Sequence, residues 1–377
     1  LDRILEMATT KVIPGVLDLN QANSESGLRM PTGGAFSGST TEGMMRNDTT
    51  QSSLSSASTM QHFNGTEWKN FVNIADTITT HFLVVAGGGS GATFHGGGGG
   101  AGGYRSSFGT VSPITLSGGS MESTVTLSKS VAYTVTVGDG AAGVTSSGGG
   151  NLSGNNGSDS TFSGSFTGSP ITSTGGGAGS SYNTQTTPGT GGSGGGGGAN
   201  NQTGGAAVSS PVVQGFAGGD GGQNSNPFPP GGGGGAGSVG ANGTSGGGGN
   251  GGDGLENQIT GVTGVFYAGG GGGGTYLIGS PGTGGSGVGG NGGPATLNTS
   301  GFDGAINTGS GGGGANADSS NATITGAGGS GVIILRYSNN YTATYSAGAG
   351  GAADAEVSTG ADKYIRITAG TGTVTFS

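Results

Sequence analysis

Glycine fills 99 of the 377 positions. It loses more backbone entropy on folding than any other residue, so a chain this rich in it must be compensated by close main-chain packing or association, or stay unfolded. Only 29% of the residues are hydrophobic, which excludes one large conventional core. Composition alone would fit disorder. Two features oppose that. The glycine runs at 194–198, 231–235, 246–249, 269–274 and 311–314 recur between spacers that carry aromatics. Glycine also falls on every third residue at 284, 287, 290 and 293, a spacing that suits packed polyproline-II-like helices whose crowded face admits only glycine.

The remaining sequence reads as strands. The apolar run 81–86 (HFLVVA) breaks directly into glycine, and 331–337 (GVIILRY) closes the glycine-rich region. Continuous apolar runs mark strands buried on both faces, and these two are expected to pair, with everything between them held as excursions from one scaffold. Residues 125–127 and 133–137 alternate apolar and polar with period two, and 160–162 adds a shorter stretch of the same kind. Phe63 and Trp68 flank Asn64-Gly65, a tight-hairpin signal. The stretches 363–368 and 372–377 read as two strands joined through 369–372. Good helix formers hardly occur consecutively. The expected fold is all-β: a β-sandwich-like scaffold with glycine-rich polyproline-II or polyglycine-II excursions and small β-modules at both ends. The expected domains are an attachment module over 1–77, the glycine-rich domain over 78–338 and a small C-terminal β-unit over 339–377.

Charge and composition exclude several functions. The net charge is -9, and no Lys or Arg occurs from 130 to 335, so this region cannot neutralise phosphates or anionic lipid. No nucleic-acid partner is expected, and no membrane insertion, because no apolar run approaches the length of a spanning helix. There is no cysteine, and three histidines give an N/S metal site little to work with. No metal, cofactor or catalytic residue is expected.

Apparent motifs fail on context. The glycines after Val84 and Val85 superficially resemble a dinucleotide fingerprint, but no helix can follow through 96–100 and the next acid is Glu122. Gly-Lys-Ser/Thr does not occur, which excludes a phosphate-cradling P-loop. Asp220 and Asp253, each within Gly-Gly-Asp-Gly, hint at calcium-binding repeats, yet they lack tandem nine-residue spacing and read better as solvated turns. His62, His81 and His95 have no acid beside them in sequence, as hydrolytic chemistry would want.

The spacer aromatics carry more information. Tyr182, Phe216, Phe228, Phe266, Tyr267 and Tyr276 lie among small polar residues, as does Phe302. Such a mixture gives large contact area at low entropic cost, as a surface for glycan or protein receptors requires. The first six are the candidate receptor-binding residues, and about half of all these aromatics are expected to plug seams in the core.

Four ordered blocks support a family resemblance: FLVVAGGG at 82–89, GGGGGAGGYR at 96–105, YTVTVG at 133–138 and GGSGVIILRY at 328–337. Together they resemble the glycine-rich domain common in bacteriophage tail-fibre proteins and some other large-virus proteins. MATTKV at 7–12, GMMRNDT at 43–49 and NGTEWK at 64–69 are similar to the N-terminal regions of marine phage fibres. The runs with variable spacers also resemble polyglycine-helix adhesins of long tail fibres, which implies receptor binding by the spacers. The resulting expectation is a non-enzymatic, homotrimeric tail-fibre protein of a virion. Its expected partners are itself, other fibre or baseplate proteins, and a host surface glycan or outer-membrane protein. A purely structural fibre or capsid-decorating protein and a glycan-degrading fibre are the alternatives. An ice-binding glycine bundle is disfavoured, since no regular Thr or Ala row is evident.

Overall fold

The structure is a computed structural model that describes residues 45–48, 59–63, 66, 68–70, 77–109, 121–146, 150–182, 187–226, 228–296, 299–316 and 323–377. It divides into two compact units, residues 1–75 and 76–377. In the first, β1 (Met45–Asp48), β2 (Thr59–Phe63) and β3 (Trp68–Asn70) form an antiparallel sheet in that order. Phe63 stands opposite Trp68, so the two strands of the expected hairpin are joined across 64–67. Asn64 and Gly65 lie outside the described residues.

The second unit opens with β4 (Thr77–Val85), β5 (Tyr104–Ser106), β6 (Val125–Ser128) and β7 (Ala132–Val137). Next come β8 (Thr145–Ser146), β9 (Ser160–Ser163) and β10 (Ile171–Ser173). Among the described residues of the long glycine-rich middle, the strands are β11 (Leu255–Glu256), β12 (Phe266–Tyr267) and β13 (Thr323–Ile324). The chain ends with β14 (Val332–Ser338), β15 (Ala343–Ala347), β16 (Ala352–Ala353), β17 (Val357–Thr359) and β18 (Asp362–Phe376). The main sheet is antiparallel and runs β10-β9-β7-β18-β14-β4-β5, with β6 on β4 and with β15, β16 and β17 on β18.

The fold is all-β, and the two apolar runs pair as their composition requires: Val85 stands opposite Val332 and Phe82 opposite Leu335. Phe82, Val84, Ile333 and Leu335 enter a core with Tyr133, Val135, Phe162, Val374 and Phe376. Leu83, Val85, Val332 and Ile334 enter a second core with Leu255, Ile259 and Tyr267 on the opposite face. Each fully buried side chain of this size contributes about 1.5–3 kcal/mol. The sheet curls until its ends meet. Ser173 Oγ on β10 donates to the Val84 carbonyl (2.7 Å), and Arg105 Nη1 on β5 donates to the Thr172 carbonyl (3.3 Å), so the sheet nearly closes into a barrel.

Residues 339–377 do not form the separate C-terminal unit expected from sequence. The two strands read there are one strand, β18, whose first half pairs with β14 and whose second half pairs with β7. Gly370, at φ 60°, bends the strand between those halves without reversing it.

The glycine-rich excursions leave the end of this sheet and pack as parallel and antiparallel rods. Segment 96–103 shows the rule. The N–H groups of Gly97, Gly100 and Gly103 donate to the carbonyls of Ser180, Gly177 and Thr174. Those of Gly98 and Ala101 reach Gly231 and Gly234, and those of Gly99 and Gly102 reach Gly312 and Gly309. Its carbonyls receive N–H groups in the same rotation: from Ala92, Gly89 and Ala86, from Gly196 and Ser193, and from Gly274 and Gly271. Every third residue thus faces the same neighbour, and six rods surround this one. That is polyglycine-II packing, with three residues per turn and no hydrogen bond inside a rod. Gly284, at φ -70° and ψ 146°, has the matching backbone.

Such rods touch through bare backbone. A Cβ on Gly98 would lie 2.0 Å from the Gly271 carbonyl oxygen, and one on Gly99 would lie 2.1 Å from that of Gly89. Where a rod lacks a neighbouring carbonyl, a side chain supplies one. Asn156 Oδ1 accepts from Ala178, Asp220 Oδ1 from Gly204, Asn291 Oδ1 from Gly284 and Asp303 Oδ1 from Ala327, each within 2.7–2.8 Å. These bonds satisfy donors that would otherwise be orphaned. The triplet spacing at 284–293 is a different matter. A 3-10 turn at Gly285–Gly287 interrupts it, with Ser286 at φ 49° and Gly287 at φ 70°. The rods flanking this turn donate through Gly282 and Gly285 to Gly273 and Gly270, and through Gly290 and Gly293 to Gly311 and Gly314.

Candidate functional site

The end of the bundle remote from the sheet is fixed by chain connectivity. Residues 86–92 leave β4, turn at 93–95 and return through 96–103 into β5, so Thr93, Phe94 and His95 lie at the far end. Segment 174–181 leaves β10 and also ends there, at Tyr182, whose N–H donates to the Phe94 carbonyl (3.1 Å). The turn following 192–198 is tied in by the Ala199 N–H on the His95 carbonyl.

Five aromatic rings meet at this end. His95 stacks on Phe228 at 4.9 Å and 12°, and Tyr276 meets it edge-on at 4.5 Å. Phe94 lies 4.6 Å and Tyr182 5.6 Å from the same imidazole. Pairs of this geometry each contribute about 0.5–1.5 kcal/mol beyond the area they bury. The imidazole is 4% exposed and its Nδ1 has no partner among the described residues. Burial among rings penalises the charged form and pushes its pKa down to about 4. The Tyr182 hydroxyl donates to Asn224 Oδ1, linking the rings to the polar loop before Phe228. Leu277 and Ile278, directly after Tyr276, are exposed.

The backbone here is unusual. Of the ten described non-glycine residues with positive φ, six belong to these turns: Phe94, His95, Asn200, Asn201, Phe228 and Leu277. Asparagine tolerates that region, but Phe, His and Leu adopt it at a cost of roughly 1–2 kcal/mol each. Strain of this kind persists only where surrounding structure enforces it, and it concentrates at functional sites. The rods supply that enforcement through main-chain hydrogen bonds.

The structure therefore brings together three sequence candidates, Tyr182, Phe228 and Tyr276. It separates the others. Tyr267 is 3% exposed in the core beneath β4 and β14, where burial pushes its hydroxyl up to about 12. Phe266 is half-buried beside it on β12, and Phe216 lies half-buried along a rod whose carbonyl accepts from Gly194. Phe302 is 56% exposed, on a rod rather than at the end. Sequence reading did not include Phe94, and weighed His95 only for hydrolytic chemistry. Their signal was an aromatic pair in the turn between the first two glycine segments.

Other groups weighed from sequence are accounted for locally. His81 Nδ1 lies 3.0 Å from the Ser107 carbonyl, and its ring meets Phe108 edge-on. Asp220 accepts from a rod, while Asp253 lies 3.5 Å from Ser286 Oγ. Among the described residues no group of three or more His, Cys, Asp and Glu is placed to share a metal ion.

A family model described as a glycine-rich domain matches residues 66–338, well over half of the chain. The chain belongs to the glycine-rich domain family. Within this domain, the matched stretch takes in β4, all the rods and β14, so the rods and the central strand pair that closes them are part of one family unit. No curated protein and no solved structure matches the chain.

Proposed function

We propose that this protein is a non-enzymatic component of a bacteriophage tail fibre, carried on the virion, and that the far end of the glycine bundle is the surface that touches the host. The observation that carries this reading is the aromatic cluster of Phe94, His95, Tyr182, Phe228 and Tyr276 on strained turns. The framework beneath those turns is held by main-chain hydrogen bonds between bare glycines, so turn sequences can change without disturbing it. That is the physical arrangement an adhesin needs, a rigid support presenting adaptable contact residues.

The experiment exchanges residues 222–228 and 276–279 for Gly-Ser connectors of equal length in the full chain. Retention of labelled protein on a panel of bacterial strains is then measured. The expected result is loss of cell retention with a single cooperative unfolding transition kept, its midpoint lowered only by the lost ring contacts of Phe228 and Tyr276. Undiminished retention would refute the assignment of contact to this end.

A further inference from the structure

Beside the aromatic cluster lies an open cavity of about 430 Å³, lined by residues 201, 222, 223, 225, 226, 229 and 243–245. Main-chain bonds hold these turns together: the Asn200 and Asn201 N–H groups donate to the Gly222 carbonyl, Gly222 to Pro229, and Gly243 to Asp220. The lining residues supply three carboxamides, those of Asn201, Gln223 and Asn226, and three hydroxyls, those of Ser225, Thr244 and Ser245. None of the lining residues is ionisable. Among the described residues, the side chains of Asn201, Gln223, Ser225, Asn226 and Ser245 make no hydrogen bond, so their donors and acceptors remain free for a ligand. Gly222 and Gly243 on the same wall are glycines because Pro229 packs where their side chains would stand: an added Cβ would lie 2.7 Å from the Pro229 ring or 2.1 Å from its carbonyl oxygen.

We infer that this cavity binds an uncharged saccharide, a reading that rests on the far end being the contact surface. The chemistry selects the class. A phosphate, sulfate, carboxylate or amine would enter a wall with no opposite charge to offset its desolvation. An uncharged polyol loses only hydrogen bonds to water, and carboxamides replace these by offering a donor and an acceptor side by side to neighbouring hydroxyls. The volume lies within the range of small-ligand sites, about 300–1,000 Å³. A protein partner would require a large apolar or Arg anchor in the depression, and among the described lining residues Pro229 alone carries an apolar side chain.

The test screens the full-length protein on a printed panel of neutral and acidic oligosaccharides, followed by titration of hits in solution. Two variants are compared with the parent: Gln223→Ala with Asn226→Ala, which removes two amides, and Thr244→Tyr, which fills the cavity. Both alter exposed residues, and melting temperature verifies folding. Support is binding of neutral oligosaccharides, weakened at least tenfold by each variant. Binding of acidic sugars only, or neutral binding unaffected by both variants, overturns the inference. Cell retention separates its failure from that of the contact surface. Retention abolished by protease treatment of the cells but not by periodate would place the receptor among proteins, overturning the saccharide while sparing the surface. Retention that survives exchange of 222–228 and 276–279 would remove the surface and the saccharide with it.

Discussion

A Cβ on Gly98 would meet main-chain atoms of Gly271, and backbone locked in a lattice cannot move aside as a flexible side chain can. Gly98→Ala is therefore expected to destabilise the protein by at least roughly 3 kcal/mol. Gly264 provides the contrast: its φ is 74° and nothing lies within 4 Å of an added Cβ, so Gly264→Ala should cost only about 1 kcal/mol through backbone strain. Chemical denaturation of the two variants measures the difference, and equal losses would contradict polyglycine-II packing at Gly98. His95 gives a second residue-level expectation. Its pKa is pushed from 6.5 to about 4 on folding, so between those values the unfolded chain binds more protons than the folded one. Its contribution is complete above the unfolded value and declines as the pH falls towards 4, by up to roughly 3 kcal/mol. His95→Phe keeps a ring against Phe228 but cannot titrate. The parent should thus lose stability relative to this variant as pH falls from 7 to 4.5, whereas a constant difference in melting temperature across that range would refute the buried neutral imidazole.

Among the elements, the guanidinium that bridges the two edges of the curled sheet is itself held by a buried ion pair. Arg105 on β5 pairs with Glu122 (2.5 Å) with both side chains largely buried, while it also donates to the Thr172 carbonyl on β10. Glu122→Gln leaves a buried guanidinium without its counter-charge and is expected to cost about 3 kcal/mol. Asp354 and Arg366 pair in the open, each 44% exposed, so Asp354→Asn should cost less than about 1 kcal/mol. Thermal melts that rank these two in the opposite order would overturn the assigned role of the pair. The elements also show what sequence can convey. Pairing of β4 with β14 was legible because apolar side chains on both faces demand cover, and β6, β7 and β9 were legible through their alternation. Strand β18 was misread because Gly370 looks like a turn from sequence alone; whether it bends or reverses the chain depends on β7 and β14 being present to pair with each half. The order of rods was illegible for a simpler reason. Glycine runs at 96–100, 231–235 and 269–274 are interchangeable as sequence, so nothing in them states which neighbour each will meet. The place of Phe94 and His95 in a ring cluster was illegible because their partners, Tyr182, Phe228 and Tyr276, are assembled only by that unreadable order.

For the whole molecule, the balance of buried surface differs from that of an ordinary globular protein. The apolar cores lie on the two faces of one curled sheet, whereas the rods bury mainly peptide groups against peptide groups. Exposing apolar surface raises heat capacity by about 0.45 cal/K/mol/Å² and exposing polar surface lowers it by about 0.26, so unfolding the rods should partly cancel the increment from the cores. Scanning calorimetry of the full chain is expected to give a heat-capacity change per residue below the usual value of roughly 12–15 cal/mol/K. The curvature of the stability curve scales with that change, and the protein should hold its stability over a wider span of temperature than a side-chain core of equal length would allow. A value within or above the ordinary range would mean that side-chain burial, rather than the hydrogen-bonded glycine lattice, dominates the folded state. The same reasoning links stability to the proposed contact surface. Because the lattice is held by main-chain groups, exchanging the turns at its far end removes few of the interactions that set the unfolding transition, and adhesion and stability should vary independently of one another.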